Sequence, residues 1–260
     1  MRRPERPAPP VTEPPSSAFR AFLLDGLPAL GLHLDPGQSD LLDRFRGLIV
    51  AENRVQNLTT LESDFDFATK HVLDSLTCLS TGLFDGLAGR VVDVGTGAGF
   101  PGVPLRIARP GLEVTLLDSL RRRTAFLERV VASLGLSGCP VVCERAENWG
   151  RQTGRRESYD VAVVRAVASL AVDLEYGLPL VRPGGRLVAM KGPRVGEEMA
   201  AALGAARELG GALDRTVEVS LPLTGERRRL VVFVKVGATP PEYPRREGVP
   251  SRRPLGRGPR

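Results

Sequence analysis

Hydrophobic residues follow two different periods along the chain, and the change falls near residue 90. In the first stretch, apolar residues recur at i, i+1, i+4, i+7 and i+8, which is the spacing of one face of an α-helix. The clearest series is Leu41, Leu42, Phe45, Leu48 and Ile49. No strand-like alternation occurs in this stretch. The pattern predicts two or three packed helices, which form an N-terminal helical subdomain over residues 18–86.

After residue 90, short β-branched runs alternate with helical segments. The runs are RVVDV, EVTLL, PVVCE, DVAVV, RLVAM, TVEVS and LVVFVKV. Apolar runs of this kind are typical of strands buried on both faces, and intervening helices imply right-handed βαβ units. The last two runs lie only about ten residues apart, which is too short for a helical crossover. The pattern predicts an α/β domain over residues 87–238, with about seven strands, mostly parallel, and an antiparallel last strand.

Proline is concentrated at both ends of the chain. Residues 1–17 contain six of the 22 prolines, and residues 239–260 contain six more. Segments with this composition seldom build a core of their own. We therefore expect residues 1–17 to be a disordered tail rich in proline and arginine. Residues 239–260 are expected to form a basic C-terminal tail, because they contain six arginines and two glutamates.

Composition narrows the class of protein. Of the 260 residues, 42% are hydrophobic and 25% are charged, which is ordinary for a globular domain. No run approaches the ~18 apolar residues of a membrane-spanning helix, and the N-terminus lacks the apolar core of a secretory signal. We expect a cytoplasmic monomer without a membrane partner. The three cysteines form no CxxC pair and only two histidines occur, so no metal site is expected.

The basic residues are almost all arginine. Only Lys70, Lys191 and Lys235 are lysines among 36 basic residues, and the formal net charge is +6. A positive balance favours a polyanionic partner, such as nucleic acid, although the base composition of the gene is an equally good explanation for the arginine bias.

A glycine-rich segment, DVGTGAGFPG at residues 93–102, follows the first predicted strand, where open α/β sheets bind ligands. Dinucleotide turns read G-x-G-x-x-G and hold a pyrophosphate. Here Gly95, Gly97 and Gly99 are spaced G-x-G-x-G, and Asp93 precedes them. An acid at that place would repel a pyrophosphate but tolerate a cationic sulfonium. The turn therefore favours S-adenosylmethionine, and a tight turn without a ligand is the alternative.

Acidic residues end the next two predicted strands. Asp118 closes the second strand, where a carboxylate accepts hydrogen bonds from ribose hydroxyls; a helix N-cap beside Ser119 is the alternative. Ala146 and Glu147 follow the third strand, where this fold brings a side chain to the adenine ring. A glutamate on a surface loop is the alternative for Glu147.

Further segments accompany these motifs in order along the chain. They are Asn57-Leu58-Thr59, HVLDSL at 71–76, LLDSLRRRTAFL at 116–127, Val164-Arg165-Ala166, Met190-Lys191-Gly192 and YPRREGVP at 243–250. Together with GFPG, this combination resembles the bacterial ribosomal RNA small subunit methyltransferase G family, also called glucose-inhibited division protein B. The resemblance covers most of the chain. One departure is Glu52-Asn53, where the family usually has Trp-Asn.

The resemblance implies a Rossmann-like class I S-adenosylmethionine-dependent methyltransferase fold behind the N-terminal helices. It also implies methyl transfer to N7 of the 530-loop guanine of 16S ribosomal RNA, guanine 527 in the usual RNA numbering, in the small ribosomal subunit or its precursor. The cofactor residues that it carries over are Gly95, Phe100, Asp118, Ala146, Glu147 and Arg165. With their neighbours Asp93, Gly97, Gly99, Ser119 and Leu120, they make up the predicted cofactor site.

Guanine N7 is a bare acceptor lone pair with no proton to remove. The reaction then needs alignment rather than a nucleophile or a general base, and it proceeds in line without a covalent intermediate. No catalytic residue is therefore expected; Arg165, which ends the fourth strand, is a positioning candidate, with a structural ion pair as the alternative. The RNA-binding candidates are Arg121, Arg122, Arg123, Lys191, Arg245 and Arg246. A solvated helix face is the alternative for the first three.

Two other classes of protein compete with an RNA methyltransferase. A small-molecule or protein methyltransferase is disfavoured by the positive charge and the arginine-rich tail. A dinucleotide-binding protein is disfavoured by the glycine spacing and by Asp93. The C-terminal tail is expected to order against the body and to help hold RNA, while contributing little to cofactor affinity.

Overall fold

The structure, a computed structural model, describes residues 14–56, 58–60 and 63–256. Most of the predicted N-terminal tail, residues 1–13, lies outside the described residues, as do Asn57 and residues 257–260. The end of that predicted tail is ordered: the carbonyl of Pro14 accepts a hydrogen bond from Arg46, and Ser16 caps the first helix.

The chain begins with helices, as the sequence predicts. Helix α1 (Ser17–Gly26) starts where the Ser16 hydroxyl accepts from the Phe19 amide, and a 3-10 turn (Leu27–Leu30) follows it. Helix α2 (Pro36–Asn53) starts at a capping box formed by Asp35 and Gln38. A third helical stretch comprises α3 (Asp64–Asp66), a π-helical segment (Phe67–Leu73), α4 (Asp74–Leu76) and a 3-10 turn (Thr77–Thr81).

A seven-stranded sheet follows the helices. Its strands are β1 (Arg90–Val94), β2 (Glu113–Asp118), β3 (Val141–Cys143), β4 (Tyr159–Arg165), β5 (Val181–Lys191), β6 (Gly211–Ser220) and β7 (Arg227–Lys235). Their order is β3-β2-β1-β4-β5-β7-β6, and among these described strands β7 alone runs opposite to the other six. The predicted fold class is confirmed. Strands β5 and β6 begin earlier than predicted, because proline, glycine and charged residues interrupt their apolar pattern.

Helices connect the strands and cover both faces of the sheet. They are α5 (Gly102–Ala108), α6 (Arg121–Leu134), α7 (Ala146–Trp149), α8 (Leu170–Gly177), α9 (Met199–Glu208) and α10 (Val249–Arg252). Successive residues of one strand face opposite cores, as Val91 and Val92 show. The N-terminal helices share the first core with α5 and α6, whereas α8 and α9 pack in the second.

The strand order creates a crevice at one edge of the sheet. Strand β1 lies in the middle, with β2 and β3 on one side and β4 and β5 on the other. The chain direction along the sheet therefore reverses beside β1, and the carboxyl ends of these parallel strands meet at the same edge. Ligands of open α/β sheets bind at such a switch point.

The turn after β1 is shaped from inside the core by Asp93. This carboxylate is fully buried, and its Oδ2 accepts from the Thr96 hydroxyl at 2.6 Å and from the Gly102 amide at 2.8 Å. A Cβ atom on Gly102 would lie 2.7 Å from the same oxygen and 2.3 Å from Leu116, so the approach requires glycine. Burial raises the pKa of Asp93 to about 6.

This pKa predicts a pH dependence of stability. The folded chain binds the Asp93 proton more tightly than the unfolded chain does, so the free energy of unfolding falls as pH rises from about 4 to about 6 and then levels off. The loss is roughly 3 kcal/mol at 1.36 kcal/mol per pKa unit. Asp93→Asn should remove this component in denaturant titrations across that range. The exposed Asp85→Asn is the control, and a wild-type pH slope in the Asp93 variant would contradict the prediction.

Candidate active site

A cleft of about 450 Å³ opens at the carboxyl ends of β1, β2, β3 and β4. Six of the predicted cofactor residues line it: Gly95, Asp118, Ser119, Leu120, Ala146 and Glu147. Other residues complete its walls, namely Val94, Leu117, Arg123, Glu144, Arg145, Ala166, Val167, Ala168, Tyr176 and Ser251. The structure therefore brings together the ends of the first three strands, as the sequence predicts, and adds walls that the sequence does not reveal.

Asp118 presents a nearly buried carboxylate to the cleft, with an exposed fraction of 4%. Its Oδ2 accepts from the Gly97 amide at 3.0 Å, and its Oδ1 accepts from the Leu120 amide at 2.9 Å. Arg123 Nη1 lies 3.4 Å from Oδ2. An ionised carboxylate has about four acceptor directions, so a further hydroxyl donor can still bind. Leu120, rather than Asp118, is the N-cap residue of α6, so the N-cap alternative does not hold.

The glycine turn divides into a part that faces the cleft and a part that faces the core. Gly95 and Gly97 have φ of +72° and +60°, a region that favours glycine. A Cβ on Gly97 would meet only the Gly95 carbonyl, at 4.0 Å, so the backbone there is open to a ligand. A Cβ on Gly95 would lie 2.6 Å from Val167 Cγ2, so that glycine makes room for the loop after β4.

Three predicted cofactor residues support the turn from behind and do not line the cleft. Asp93 is buried in the hydrogen bonds described above. A Cβ on Gly99 would lie within about 3 Å of Val103 and Leu127. Phe100 is 7% exposed and stacks on the His71 ring, with centroids 4.5 Å apart. In this structure they support the backbone behind the cleft, and their contact with the cofactor stays a prediction.

The C-terminal tail builds one wall of the cleft. Glu147, 2% exposed, accepts a hydrogen bond from the Gly248 amide at 2.9 Å. Ser251, in α10, lies in the same wall as Tyr176, where burial raises the pKa of the tyrosine hydroxyl. The expectation that the tail contributes little to the cofactor site does not agree with this geometry.

Arg245 anchors the tail instead of pointing into solvent. Its Nε and its backbone amide each donate to Glu175 Oε1 at 2.8 Å, and Nη2 lies 2.5 Å from Oε2 of the same fully buried carboxylate. Arg156 also donates to the carbonyls of Thr239 and Tyr243. The contacts with Glu175 use Nε and Nη2 within the chain, which disfavours the predicted RNA contact of Arg245; that contact stays a prediction.

Two further RNA-binding candidates are also engaged within the protein. Lys191 is 10% exposed, and its ammonium lies 2.6 Å from the Ala168 carbonyl and 2.7 Å from an Asp173 oxygen. Arg123 lies against Asp118. By contrast, Arg121, Arg122 and Arg246 are exposed on the surface and stay candidates.

Arg165 joins the sheet to the N-terminal helices. Its Nε lies 3.4 Å from Asp74 Oδ2, and its other nitrogens donate to Ser75 Oγ and to the Lys70 carbonyl, each at 3.0 Å. Asp74 also accepts from Arg228 Nε at 2.7 Å. The structural ion pair, which the sequence left as the alternative, is what the structure contains. Arg165 does not line the cleft, and its role in positioning the cofactor stays a prediction.

His71 is held in its neutral form. Its Nε2 lies 2.7 Å from the Thr59 hydroxyl, and its Nδ1 lies 3.5 Å from Arg165 Nη2. Burial, together with the charge of Arg165, lowers the pKa of His71 to about 3. The His71 side chain therefore does not change its protonation state near neutral pH.

Residues 166–168, Tyr176 and Ser251 are cleft residues that sequence reasoning missed. The loop after β4 and the helix α8 have no motif of their own that the pattern could identify. The YPRREG segment was a signal for the tail, but it did not show which side of the sheet the tail covers. Among the described residues, no group of His, Cys, Asp and Glu is placed to hold a metal ion, and no helix is long and apolar enough to span a bilayer.

The cleft fits the predicted cofactor. It has an acceptor carboxylate at Asp118, open backbone at Gly97 and a volume within the roughly 300–1,000 Å³ of small-molecule sites. Eight of its sixteen lining residues have polar or charged side chains, which can meet the polar groups of such a cofactor.

A solved structure of a point mutant of MtNAS has a similar fold. Its TM-score is 0.52 with 16% identity, and the match covers 84% of this chain and 86% of that one. At this identity the likeness supports the fold alone.

Sequence relatives identify the family. The chain is 44% identical to the ribosomal RNA small subunit methyltransferase G of Pelotomaculum thermopropionicum, over 92% of this chain and all of that protein. It is 46% identical to the protein of the same name from Deinococcus deserti, over 90% of this chain and 95% of that one. The family profile described as rRNA small subunit methyltransferase G (GidB) matches residues 38–227. The chain therefore belongs to the rRNA small subunit methyltransferase G family.

Proposed function

We propose that this protein transfers the methyl group of S-adenosylmethionine to N7 of the 530-loop guanine of 16S ribosomal RNA, guanine 527 in the usual numbering. The observation that carries the proposal is the carboxylate of Asp118 in a cleft beside the open glycine backbone, in a chain of this family. The relatives' name supplies the small-subunit RNA as substrate. A substrate of this kind is consistent with a cytoplasmic protein that acts as a monomer on the small subunit or its precursor.

The positions of the cleft residues indicate how the cofactor is held. Asp118, at the end of β2, accepts a ribose hydroxyl, while Ala146 and Glu147, after β3, face the adenine ring. Gly95, after β1, lines the cleft, and Gly97 beside it would leave backbone open to the remaining part of the molecule. The end of the cofactor that bears the methyl group would then be held by residues that follow β1 and β4. When bound, the cofactor supplies an activated methyl group on a cationic sulfonium.

The protein's residues contribute alignment and exclusion of water. Guanine N7 offers a lone pair with no proton on it, so no base has to remove one. His71 stays neutral, and Arg165 is committed to Asp74. Burial raises the pKa of the Cys78 and Cys139 thiols, which disfavours a thiolate nucleophile at these two residues. These observations support a direct in-line transfer without a covalent intermediate.

Exposed arginines around the cleft support an RNA substrate. Arg121 and Arg122 begin helix α6, directly after the cleft residues Ser119 and Leu120, and Arg246 lies on the tail. Phosphate contacts of this type position RNA without reading its sequence. They also explain why binding should weaken as salt rises.

The direct test is methyl transfer to small ribosomal subunits that lack the modification. With tritiated S-adenosylmethionine, we expect label in 16S ribosomal RNA and, after borohydride reduction and aniline cleavage, strand scission at the 530-loop guanine. Pre-methylated subunits are the control and should accept no label. Label on another base, or on protein, would overturn the assigned substrate.

Asp118→Asn should weaken cofactor binding. The variant keeps the size of the side chain but removes the charge that a ribose hydroxyl would meet. Hydrogen bonds to charged groups contribute about 1.5–3 kcal/mol, so the Kd measured by calorimetry should rise at least roughly tenfold. The exposed Asp85→Asn should bind as the wild type does. Equal Kd values for both variants would remove Asp118 from the site.

Removal of the tail wall should also weaken cofactor binding. A chain that ends at Arg246 keeps the anchor between Arg245 and Glu175 but loses the Gly248 amide and Ser251. Loss of one hydrogen bond and part of the wall corresponds to roughly 1–1.5 kcal/mol, or about a tenfold higher Kd. Thermal unfolding of the shortened chain checks that the domain is intact. A folded shortened chain with unchanged affinity would show that the tail does not contribute.

A further inference from the structure

The loop between β4 and α8, residues 166–169, forms the wall of the cleft nearest to β4. Ala166 in this loop has φ of +53°, a left-handed conformation that is unfavourable for a residue with a Cβ atom. Such a conformation persists only where the surroundings hold it in place. The surrounding contacts therefore determine where this wall stands.

Ala168 is held at both of its backbone polar groups. Its amide donates to Asp173 Oδ1 at 3.0 Å, and its carbonyl accepts from Lys191 Nζ at 2.6 Å. Lys191 Nζ also lies 2.7 Å from Asp173 Oδ2, which closes the ring of contacts. Both side chains are nearly buried, at 10% and 1% exposed. The two residues come from β5 and α8, so the loop is tied to two rigid elements.

Val167 transmits this placement to the glycine turn. Its Cγ2 lies 2.6 Å from the point where a Cβ on Gly95 would stand, so its side chain occupies the space that the glycine leaves. Val167 is 36% exposed and lines the cleft. A shift of Ala168 would therefore move a side chain that lies at the methyl-bearing end of the proposed cofactor.

We propose that Lys191 and Asp173 are positioning residues for methyl transfer, which act through Ala168 to fix the wall formed by Ala166 and Val167. The inference rests on the proposed function, because it assigns the loop to the end of the cleft where the methyl group leaves. Neither residue lines the cleft. We therefore expect their effect in the transfer step rather than in cofactor affinity, because the proposed ribose and adenine contacts lie at Asp118 and Glu147.

Lys235 provides a matched control. It is also a buried lysine that donates to backbone carbonyls, those of Leu178 and Val181, and to Glu157. It lies at the end of β7 opposite to the strand ends that form the cleft, because β7 runs antiparallel to β5. Lys235→Met and Lys191→Met remove the same ammonium from two comparable sites, and only one of them touches the loop.

Hydrogen exchange tests whether Lys191 and Asp173 hold Ala168 in place, and it needs no substrate. In Lys191→Met, the amides of the peptide covering residues 165–170 should exchange roughly tenfold faster than in the wild type, whereas Lys235→Met should leave this peptide unchanged. Burial raises the pKa of Asp173 to about 7, so the measurements belong above roughly pH 8, where its carboxylate is ionised. Lys191→Arg, which keeps a charged donor, should restore most of the protection.

Single-turnover transfer at saturating cofactor and RNA completes the test. In Lys191→Met the rate constant should fall at least roughly tenfold, while the Kd for S-adenosylmethionine changes less than about threefold. Lys235→Met should keep the wild-type rate. Asp173→Asn, which keeps an acceptor for the Ala168 amide, should show a smaller change in the same direction and serves if Lys191→Met does not fold.

The outcomes separate the two proposals. If the wild type methylates no RNA, the proposed function fails, while the exchange data still decide whether Lys191 holds the loop. If hydrogen exchange in residues 165–170 is unchanged in Lys191→Met, Lys191 does not hold the loop. Faster exchange with a wild-type rate at saturation overturns the positioning role, and so does a rate loss that Lys235→Met shares.

Discussion

The shape of the cleft depends on the carboxylate of Asp93, which is buried in the core and does not line the cleft. Asp93 lies inside the core and holds the Thr96 hydroxyl and the Gly102 amide, and these two bonds fix the backbone between β1 and α5. Only with this backbone fixed can the Gly97 amide meet Asp118 at the end of β2. Burial of a charged carboxylate in the core is unfavourable in free energy. In return, Asp93 holds the glycine turn rigid, so that its backbone is available at the edge of the cleft.

Arginine is used in this chain more for holding backbone than for meeting a partner. Arg156 and Arg165 donate to main-chain carbonyls. Arg245 donates through Nε and Nη2 to the buried carboxylate of Glu175. A guanidinium is suited to this because its donors are planar and preorganised. A count of basic residues therefore overestimates the surface available to RNA. The burial of each arginine side chain distinguishes those that bind within the chain from those available to RNA. The number of charged residues in the sequence does not show which side chains are buried.

The features that the sequence predicted well are those written in local patterns. The strands, the glycine turn and Asp118 each depend on a short run of residues and on the edge where parallel strands end. The direction of Asp93, by contrast, depends on whether the side chain after Val92 faces the core or the crevice, and the spacing of the glycines is the same in both cases. The π-helical segment at Phe67–Leu73 was also missed, because helical periodicity over one turn does not separate i+4 from i+5 contacts. The left-handed Ala166 and the wall made by Ser251 arise from contacts between distant parts of the chain, so no local pattern announces them.

The position of the tail in the chain affects the order in which the walls of the cleft form during synthesis on the ribosome. The glycine turn and Asp118 are translated well before Gly248 and Ser251, which complete the wall against Glu147 and Tyr176. Domains generally fold as units while synthesis proceeds from the N-terminus. The sheet can thus assemble on the nascent chain while its cleft still lacks one side. Full affinity for a cofactor can therefore develop only after Gly248 and Ser251 have been synthesised.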